Sequence, residues 1–509
     1  MQMKRIIFII AALFALTAFA QEQISDLVVR KYIANPSFRT EDEENLYVWF
    51  TRTWLSGEYY DVSLAVIPKS GGAGREILVK RPSKSKNQFF NLLACYEDDQ
   101  NLISVYSYYT ESTYNICWNT LPKNTEKFLW NPQTVLSVPF DKQITFNAVG
   151  VTSPDKRKAG VAIFQMQFNT TNLQGAHMLS FDENGLQWDH PIDFDFENRT
   201  LQILDMIIGN DADLYAALIS FNKKEEGKEE VYENETLHLY QFGQYGEQNV
   251  VEEAVDFGHI SNGKLLLTSS NRLSLGGYYA PNSTAKETGC FIASTVFPNP
   301  KQIDLSRQEF PTSYYTYKHS ATKQPAEEFN AHTIGFFEFS DNSLVLLGEM
   351  QALHKSVELQ TAGGPILVHF ANKACELGDF KTINKNQCIV GRSASPTGLR
   401  TRMFSYYAMM YQDNIHIFFH DNIQNYNGET NKHTFIAERV FGVGLNYDEV
   451  CTAHCTINSR QEISAPEMLM DYQQHKSYLI APLFITPDAI VLCRSDKVSN
   501  RISRLKHQF

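Results

Sequence analysis

The sequence predicts an all-β chain folded as a β-propeller, and three observations predict it. A polar turn followed at once by five or six β-forming residues returns eight times along the chain. Convincing helical periodicity is nearly absent, and no Pro/Gly/Ser-rich linker divides the chain. Short strands fed by turn signals at a fixed long period mark repeated supersecondary units, and a closed ring of small sheets protects most strand edges.

The repeating device runs through EDEENLYVWF (ending at Phe50), EDDQNLISVY (Tyr106), PDKRKAGVAIFQMQF (Phe168) and GNDADLYAALIS (Ser220). It continues through SNGKLLLTSS (Ser270), SDNSLVLLGEM (Met350), QDNIHIFFH (His420) and TPDAIVLCRS (Ser495). With Leu46, Leu102, Val161, Leu214, Leu265, Leu344, Ile415 and Ile490 as marks, the steps are 56, 59, 53, 51, 79, 71 and 75. The longer late steps predict loops inserted into otherwise similar units. Further strand-like runs lie between the marks, at 59–67, 114–119, 236–242 and 366–370, separated by turns such as Ser70-Gly71-Gly72, Glu183-Asn184-Gly185 and 243–246. Three or four strands in each of eight units predict eight blades, with seven as the alternative. Tandem sandwiches would need linkers, and a parallel β-helix would need a shorter repeat. Two short helices are expected, over 466–475 and 324–329. The apolar run 24–33 and the run 501–509, with Ile502, Leu505 and Phe509, are expected to share a blade or adjacent blades and close the ring.

Residues 1–20 read as a secretory signal peptide. Lys4 and Arg5 precede an apolar run from Ile6 to Leu16, and Ala18-Phe19-Ala20 supplies the small-x-small cleavage site before Gln21. The run is short for a membrane anchor, and no Cys stands at the cleavage point to carry a lipid. The expected product is a single propeller domain over 21–509, a monomer without membrane insertion, in the periplasm, at the cell surface or outside the cell. Eight cysteines follow the leader; Cys95 with Cys117 and Cys375 with Cys388 are the local pairs export would allow, with buried free thiols as the alternative. Sequons stand at Asn169, Asn198, Asn234 and Asn282.

Lys+Arg is 45 against 57 Asp+Glu, a net charge of -12. Such a chain gains little from phosphate counterion release, which argues against a nucleic-acid partner. The composition also excludes disorder, collagen and coiled coil.

Runs such as LSFDENGLQWDHP (179–191), GGYYAP (276–281) with GCFIAS, FEFSDNSLVLLGEM and YQDNIHIFFHDNIQNYN (411–427) resemble those of exported bacterial β-propeller proteins. The resemblance covers most of the chain and carries no diagnostic catalytic motif. It implies a fold and a compartment, for proteins mostly of unassigned activity.

Candidate chemistry stands in five places. The segment from Ser180 to Trp188 is similar to the Asp-box of sialidase-type propellers, with one extra residue between Asp and Gly; such boxes are structural, and Trp188 reads as a blade-core anchor. Asp193, Asp195 and Glu197 alternate with Ile192, Phe194 and Phe196, so in a strand the acids share one face. That face suits acid–base work on a glycoside or Ca²⁺, against a solvated edge as the plainer reading. His416 and His420 project from one face, about 13 Å apart, too far for one metal. Cys451, His454 and Cys455 lack a second ligand pair for zinc. Five Tyr-Tyr pairs begin at 59, 108, 278, 314 and 406; of these Tyr314, Tyr315, Tyr278, Tyr279 and Tyr406 are candidates for stacking on a sugar or peptide, with sheet filling as the alternative. No phosphate loop, Ser-His-Asp signature or redox motif is present, and no catalytic residue, metal or cofactor is expected. The leading functional reading is a non-enzymatic propeller binding a protein or glycan through a loop-bearing face built from 310–329, 351–364 and 422–433. The alternative is a carbohydrate-active hydrolase or lyase whose site is assembled across blades.

Overall fold

The computed structural model describes residues 23–29, 34–53, 60–71, 73–79, 90–128, 131–139, 143–167, 173–194, 199–226, 229–243, 247–315, 329–354, 359–385, 387–391, 406–426, 439–442, 450–471, 478–487, 489–495 and 500–506. The expected leader and the expected helix over 324–328 lie outside them.

Eight antiparallel sheets form an eight-bladed β-propeller. Blades 1 to 5 occupy 34–78, 90–139, 144–191, 200–254 and 259–309, each with four strands in sequence order. Blade 6 spans 330–391, blade 7 spans 407–471, and blade 8 begins at Tyr478. The first strand of every blade lies beside the first strand of the next, all the way round the ring. Blade 8 takes its outer strand from the start of the chain: Gln23–Val29 pairs antiparallel with Asn500–Lys506, Leu27 opposite Ile502. The ring is closed by the two chain ends, as expected.

Seven of the eight marks open the second strand of a blade. Leu265 is the exception. It lies in a first strand, His259–Leu267, and the second strand of blade 5 is Arg272–Ala280, opening on the turn at Ser269-Ser270-Asn271. Asn271, at φ 57°, takes the left-handed conformation that Asn tolerates. Leu265 reads as a strand start because the run Leu265–Leu267 follows a Ser-Asn-Gly turn signal, but that run closes the first strand of the blade.

Each blade is sandwiched between two others, so both faces of an inner strand are interior. Within Asn45–Thr53, Leu46, Val48 and Phe50 pack toward blade 8 and Tyr47 and Trp49 toward blade 2. The first strands bend to line the ring, and six carry a register shift of the β-bulge type, among them Leu92/Ala94 and Ile203/Asp205. The Leu92/Ala94 bulge pushes the Leu93 carbonyl against Gly150 of blade 3, where a Cβ would sit 2.0 Å from the oxygen; only glycine allows this approach.

Two expectations are corrected here. The segment 466–475 is not a helix: Glu467–Asp471 is the outer strand of blade 7, paired with Val450–Asn458, because ladder pairing overrides local helical preference. The one α-helical turn among the described residues is Thr312–Tyr315. The Cys95–Cys117 pair is not bridged: Cys95, Cys117, Cys290, Cys375, Cys451, Cys455 and Cys493 are buried free thiols, and Cys388's side chain lies outside the described residues. Burial alone raises the Cys117 thiol to about 12, so it packs as a small apolar group.

Ring closure gives the first test. Ile502 and Leu505 are buried at 2% and 0% exposure in the cores on either side of blade 8. Leu505→Ala should cost about 2–5 kcal/mol. Removal of 501–509 should abolish the single cooperative melt, read by calorimetry; a truncated protein ending at Asn500 with an unchanged melting temperature would refute the closure.

Candidate binding face

The two faces of the ring are built differently. Hairpin turns joining first to second strands all lie on one face, and they are short because Asp, Asn or Ser side chains satisfy the turn N–H groups. Asp98 accepts from Gln100 and Asn101 N–H at 2.7 and 2.6 Å, and Asp341 accepts from Ser343 N–H at 2.9 Å. These turns then latch onto their neighbours. Ser340 N–H and Oγ donate to Asp413 at 2.7 and 2.8 Å (blade 6 to blade 7). Ser269 N–H and Oγ donate to Glu338 at 2.7 and 3.0 Å (blade 5 to blade 6), and Asp155 N–H to Asn210 at 3.1 Å (blade 3 to blade 4).

The opposite face carries every large departure from the four-strand plan among the described residues. In blade 4 the second and third strands, Leu214–Glu226 and Glu229–Phe242, run past the ring as a hairpin whose far end is KKEEGKEE. In blade 6 the strands Leu344–His354 and Leu359–Ala371 do the same. There Gln387–Gly391 pairs with the upper part of the third strand, and Arg439–Gly442, from an insertion in blade 7, adds in parallel. Blade 5 lies between the two projecting hairpins and contributes Thr312–Tyr315. The described parts of the segments 310–329, 351–364 and 422–433 lie on this face; 316–328, 355–358 and 427–433 lie outside the described residues.

Buried carboxylates hold this face together. Glu235, 7% exposed, leaves blade 4 to accept from His259 Nδ1 at 2.6 Å in blade 5. Glu287, also 7% exposed, repeats the device one blade on, accepting from Ala331 N–H at 2.9 Å. Within blade 6, Lys385 donates to Glu349 and, at 3.0 Å, to Gln387; Gln387 then crosses to blade 7, donating to the His420 carbonyl at 2.6 Å. Asp421 accepts from Asn425 and Tyr426 at 2.7 and 2.9 Å beside this chain. Burial pushes the Lys385 ammonium well below its usual range, with Asp421 opposing. Removing one partner of such a pair would strand a buried charge.

The sequence candidates fall on both sides of this boundary. Tyr278 and Tyr279 are both buried, toward blade 6 and toward blade 4. Tyr314 is buried and stacks on Phe310 at 4.2 Å, and Tyr406 is buried between blades. The expectation of exposed rings is therefore corrected for these four: both faces of the strand that carries Tyr278 and Tyr279 are interior, Tyr314 packs inward from a helical turn, and Tyr406 packs inward just before a strand. Tyr315, 36% exposed, keeps a solvent face beside Tyr314. Asp193 is exposed in the irregular link after blade 3, not in a strand, and Asp195 and Glu197 lie outside the described residues. Trp188 packs in the core between blades 3 and 4, and Asp182 braces its turn, accepting from Asn184 N–H and Gln187 Nε2 at 2.7 and 2.6 Å. No group of three His, Cys, Asp or Glu suited to a metal occurs among the described residues.

Sequence reading missed a Ser–His–Glu chain in blade 4. Ser220 Oγ lies 2.7 Å from His238 Nε2, and His238 Nδ1 lies 2.9 Å from Glu252. Glu252 accepts only, so Nδ1 carries the proton and Nε2 accepts from the serine hydroxyl. The connectivity is that of a nucleophile relay, but the exposure is reversed: Ser220 is 0% exposed while the Glu252 side chain is 57% exposed. A third-strand histidine against a fourth-strand acid recurs as His177–Asp189 and His454–Glu467, which marks a structural device. No spacing rule links the three residues, since they meet only through strand register.

Two tests follow from these geometries. Ser220→Ala leaves His238 Nε2 without its donor and should cost about 1–3 kcal/mol, while a fluorophosphonate probe leaves native Ser220 unlabelled. Burial depresses the pKa of His238, His332 and His369, the last to about 3. The unfolded chain therefore takes up protons first, so stability is complete above about pH 6.5 and falls as pH drops below it, by at most about 1.4 kcal/mol per pH unit for each histidine. Denaturant melts at pH 7.5 and 5 check the sign; equal stability at both would contradict it.

No family model matches the chain, and no curated protein matches it. Among solved structures it is similar to the β-propeller domain of the Trilobed protease from Pyrococcus furiosus, at 11% identity over 86% of this chain and 96% of that one, TM-score 0.34. It is similar also to oligogalacturonate lyase from Vibrio parahaemolyticus, at 9% identity over 79% and 92%, TM-score 0.35. A third is the WD40 domain of SCAP from fission yeast, at 9% identity over 95% and 98%, TM-score 0.32. The likeness is one of fold.

Proposed function

We propose that this chain is an exported, non-enzymatic β-propeller that binds a protein or glycan partner, as a monomer, through its loop-bearing face. One observation carries the reading. The departures from the repeat in blades 4, 5 and 6 stand on the same face, where two projecting hairpins straddle blade 5, while the opposite turns are spent on blade-to-blade latches. Projecting strands cost ordering entropy that the ring does not need, and binding sites are placed on loops held by a rigid scaffold. The Lys385–Glu349 and Glu287 contacts supply that rigidity. Export rests on the charged start, apolar run and Ala18-Phe19-Ala20 of the leader.

The test shortens the blade 4 hairpin, replacing 223–233 by an Asn-Gly turn. The melting temperature should stay within about 3 °C, since a hairpin tip adds little to the ring core. Capture on a glycan array, or of a cross-linked surface protein, should fall at least tenfold. Undiminished capture by the shortened protein, or turnover of a polysaccharide by the native one, would overturn the reading. N-terminal sequencing of exported material should begin at Gln21; material retaining Met1 would refute export by cleavage.

A further inference from the structure

The turn face holds two cavities that the repeat itself does not call for. The first, of about 380 Å³, opens on the side of blade 7 that faces blade 8. Tyr411, Asn414, His416, His454, Thr456 and Glu467 are among its walls. The second, also about 380 Å³, lies at the seam of blades 8 and 1 and is floored by Leu46, Ile67, Val491 and Ile502. Tyr411 walls both. Each has the size of a small-molecule site, about 300–1,000 Å³.

The first cavity has a fixed hydrogen-bonding pattern. Glu467 accepts from His454 Nδ1 at 3.3 Å, so His454 Nε2 accepts from His416 Nδ1 at 3.0 Å. The two imidazoles lie nearly parallel, 13° apart, and both are 3% exposed, forming a firm wall; the Glu467 side chain is about half exposed, at 49%. Neither Lys nor Arg lines this cavity, and a carboxylate does, which disfavours phosphate, sulfate or a carboxylate ligand. A metal would find two nitrogens already bonded to each other. An apolar ligand would cover the half-exposed Glu467 carboxylate without replacing its water. An uncharged ring bearing several hydroxyls fits what remains: a carboxylate and amide for paired hydroxyls, and the Tyr411 ring as a face to lie against.

We propose that Tyr411, Asn414, His416, His454, Thr456 and Glu467 form a site for an uncharged sugar residue, with the neighbouring cavity holding an apolar substituent on its anomeric oxygen. The site lies on the face opposite the projecting hairpins and does not depend on them. In the second cavity Lys69 is paired with Glu41 at 2.8 Å, and Arg504 donates to the Lys69 carbonyl. Its cations are thus engaged at the edge, and the floor is left to an alkyl or aryl group.

The experiment titrates the full chain with methyl and phenyl β-glycosides of glucose, galactose and N-acetylglucosamine by calorimetry. At least one sugar should bind saturably, its phenyl glycoside at least tenfold tighter than its methyl glycoside. Glu467→Gln, whose amide oxygen can still accept from His454, should weaken binding at least tenfold while the melting temperature stays within about 3 °C, and Tyr411→Ala should erase the phenyl preference. In the native protein, ligand should shift the imidazole resonances of His416 and His454, a readout that needs no variant. The protein with the shortened blade 4 hairpin should bind as the native one does. Absence of saturable binding by all six glycosides, binding indifferent to Glu467→Gln, unmoved imidazole resonances, or loss of binding with the hairpin would each overturn the proposal.

Discussion

A ring of blades holds only if its last sheet is tied to its first element, and here the tie is the ladder between Gln23–Val29 and Asn500–Lys506. The other strand ladders among the described residues pair strands that lie within one stretch of the chain. Without the tie, the seam between blades 8 and 1 would be closed by side-chain packing and a few polar contacts, such as Arg39 Nη1 donating to the Pro482 and Leu483 carbonyls at 2.8 Å. Such packing joins every other pair of blades as well, so the ladder is what distinguishes a ring from a row. Its cost is the closure entropy of nearly the whole chain, which grows slowly with length, so a large ring is little worse to close than a small one.

Closure has a second consequence, because it leaves no blade with a free face. Val48 and Trp49, adjacent in one strand, belong to two different cores, and so do Tyr278 and Tyr279. This is why the strands read as continuous apolar runs, and why those runs were legible as strands while their facing was not. A rule that turns alternation into inside and outside fails when both sides are inside. It fails in the same way for the aromatic pairs: Tyr314 was legible as a β-type aromatic near the working face, but its stacking on Phe310 depends on a helical turn with no cap or period to announce it. The misplaced mark at Leu265 has a related cause. First and second strands of one blade carry equal apolar content, and only the turn at Ser269–Asn271, with Asn in the left-handed region, distinguishes them.

The polar chemistry of the molecule was barely legible, and the reason is geometric. Ser220, His238 and Glu252 sit on three successive strands of one blade. His416, His454 and Glu467 do so in another, and Glu349 meets Lys385 from the far side of a third. Spacing within a strand says which face a residue takes, whereas these contacts are set by register between strands, which depends on loop length. The acidic run at Asp193 shows the converse: its alternation is visible in sequence, yet the ladder ends at Ile192, whose N–H donates to the Ala176 carbonyl at 2.9 Å, and Asp193 and Phe194 lie in the irregular link beyond it. Alternation is necessary for a strand and does not make one.

The two faces also obey different length rules, which explains where the chain departs from its repeat. A hairpin from first to second strand must turn within a few residues, and its side chains are committed to the neighbouring blade: Ser340 to Asp413, Ser269 to Glu338. An insertion there would break two blades at once. On the opposite face the chain crosses from an outer strand to the next inner strand, or between second and third strands, and extra residues leave the ladders intact at a small entropic cost. The long steps of the sequence, after Leu265 in the original marks, are the sum of such insertions. What holds them in place is a pair of buried acids at the blade junctions, Glu235 and Glu287, each meeting a group of the next blade. An unpaired buried carboxylate is costly, so each of these residues makes the loop face conditional on the correct neighbour arriving. These contacts tie the described part of the loop face to the ring.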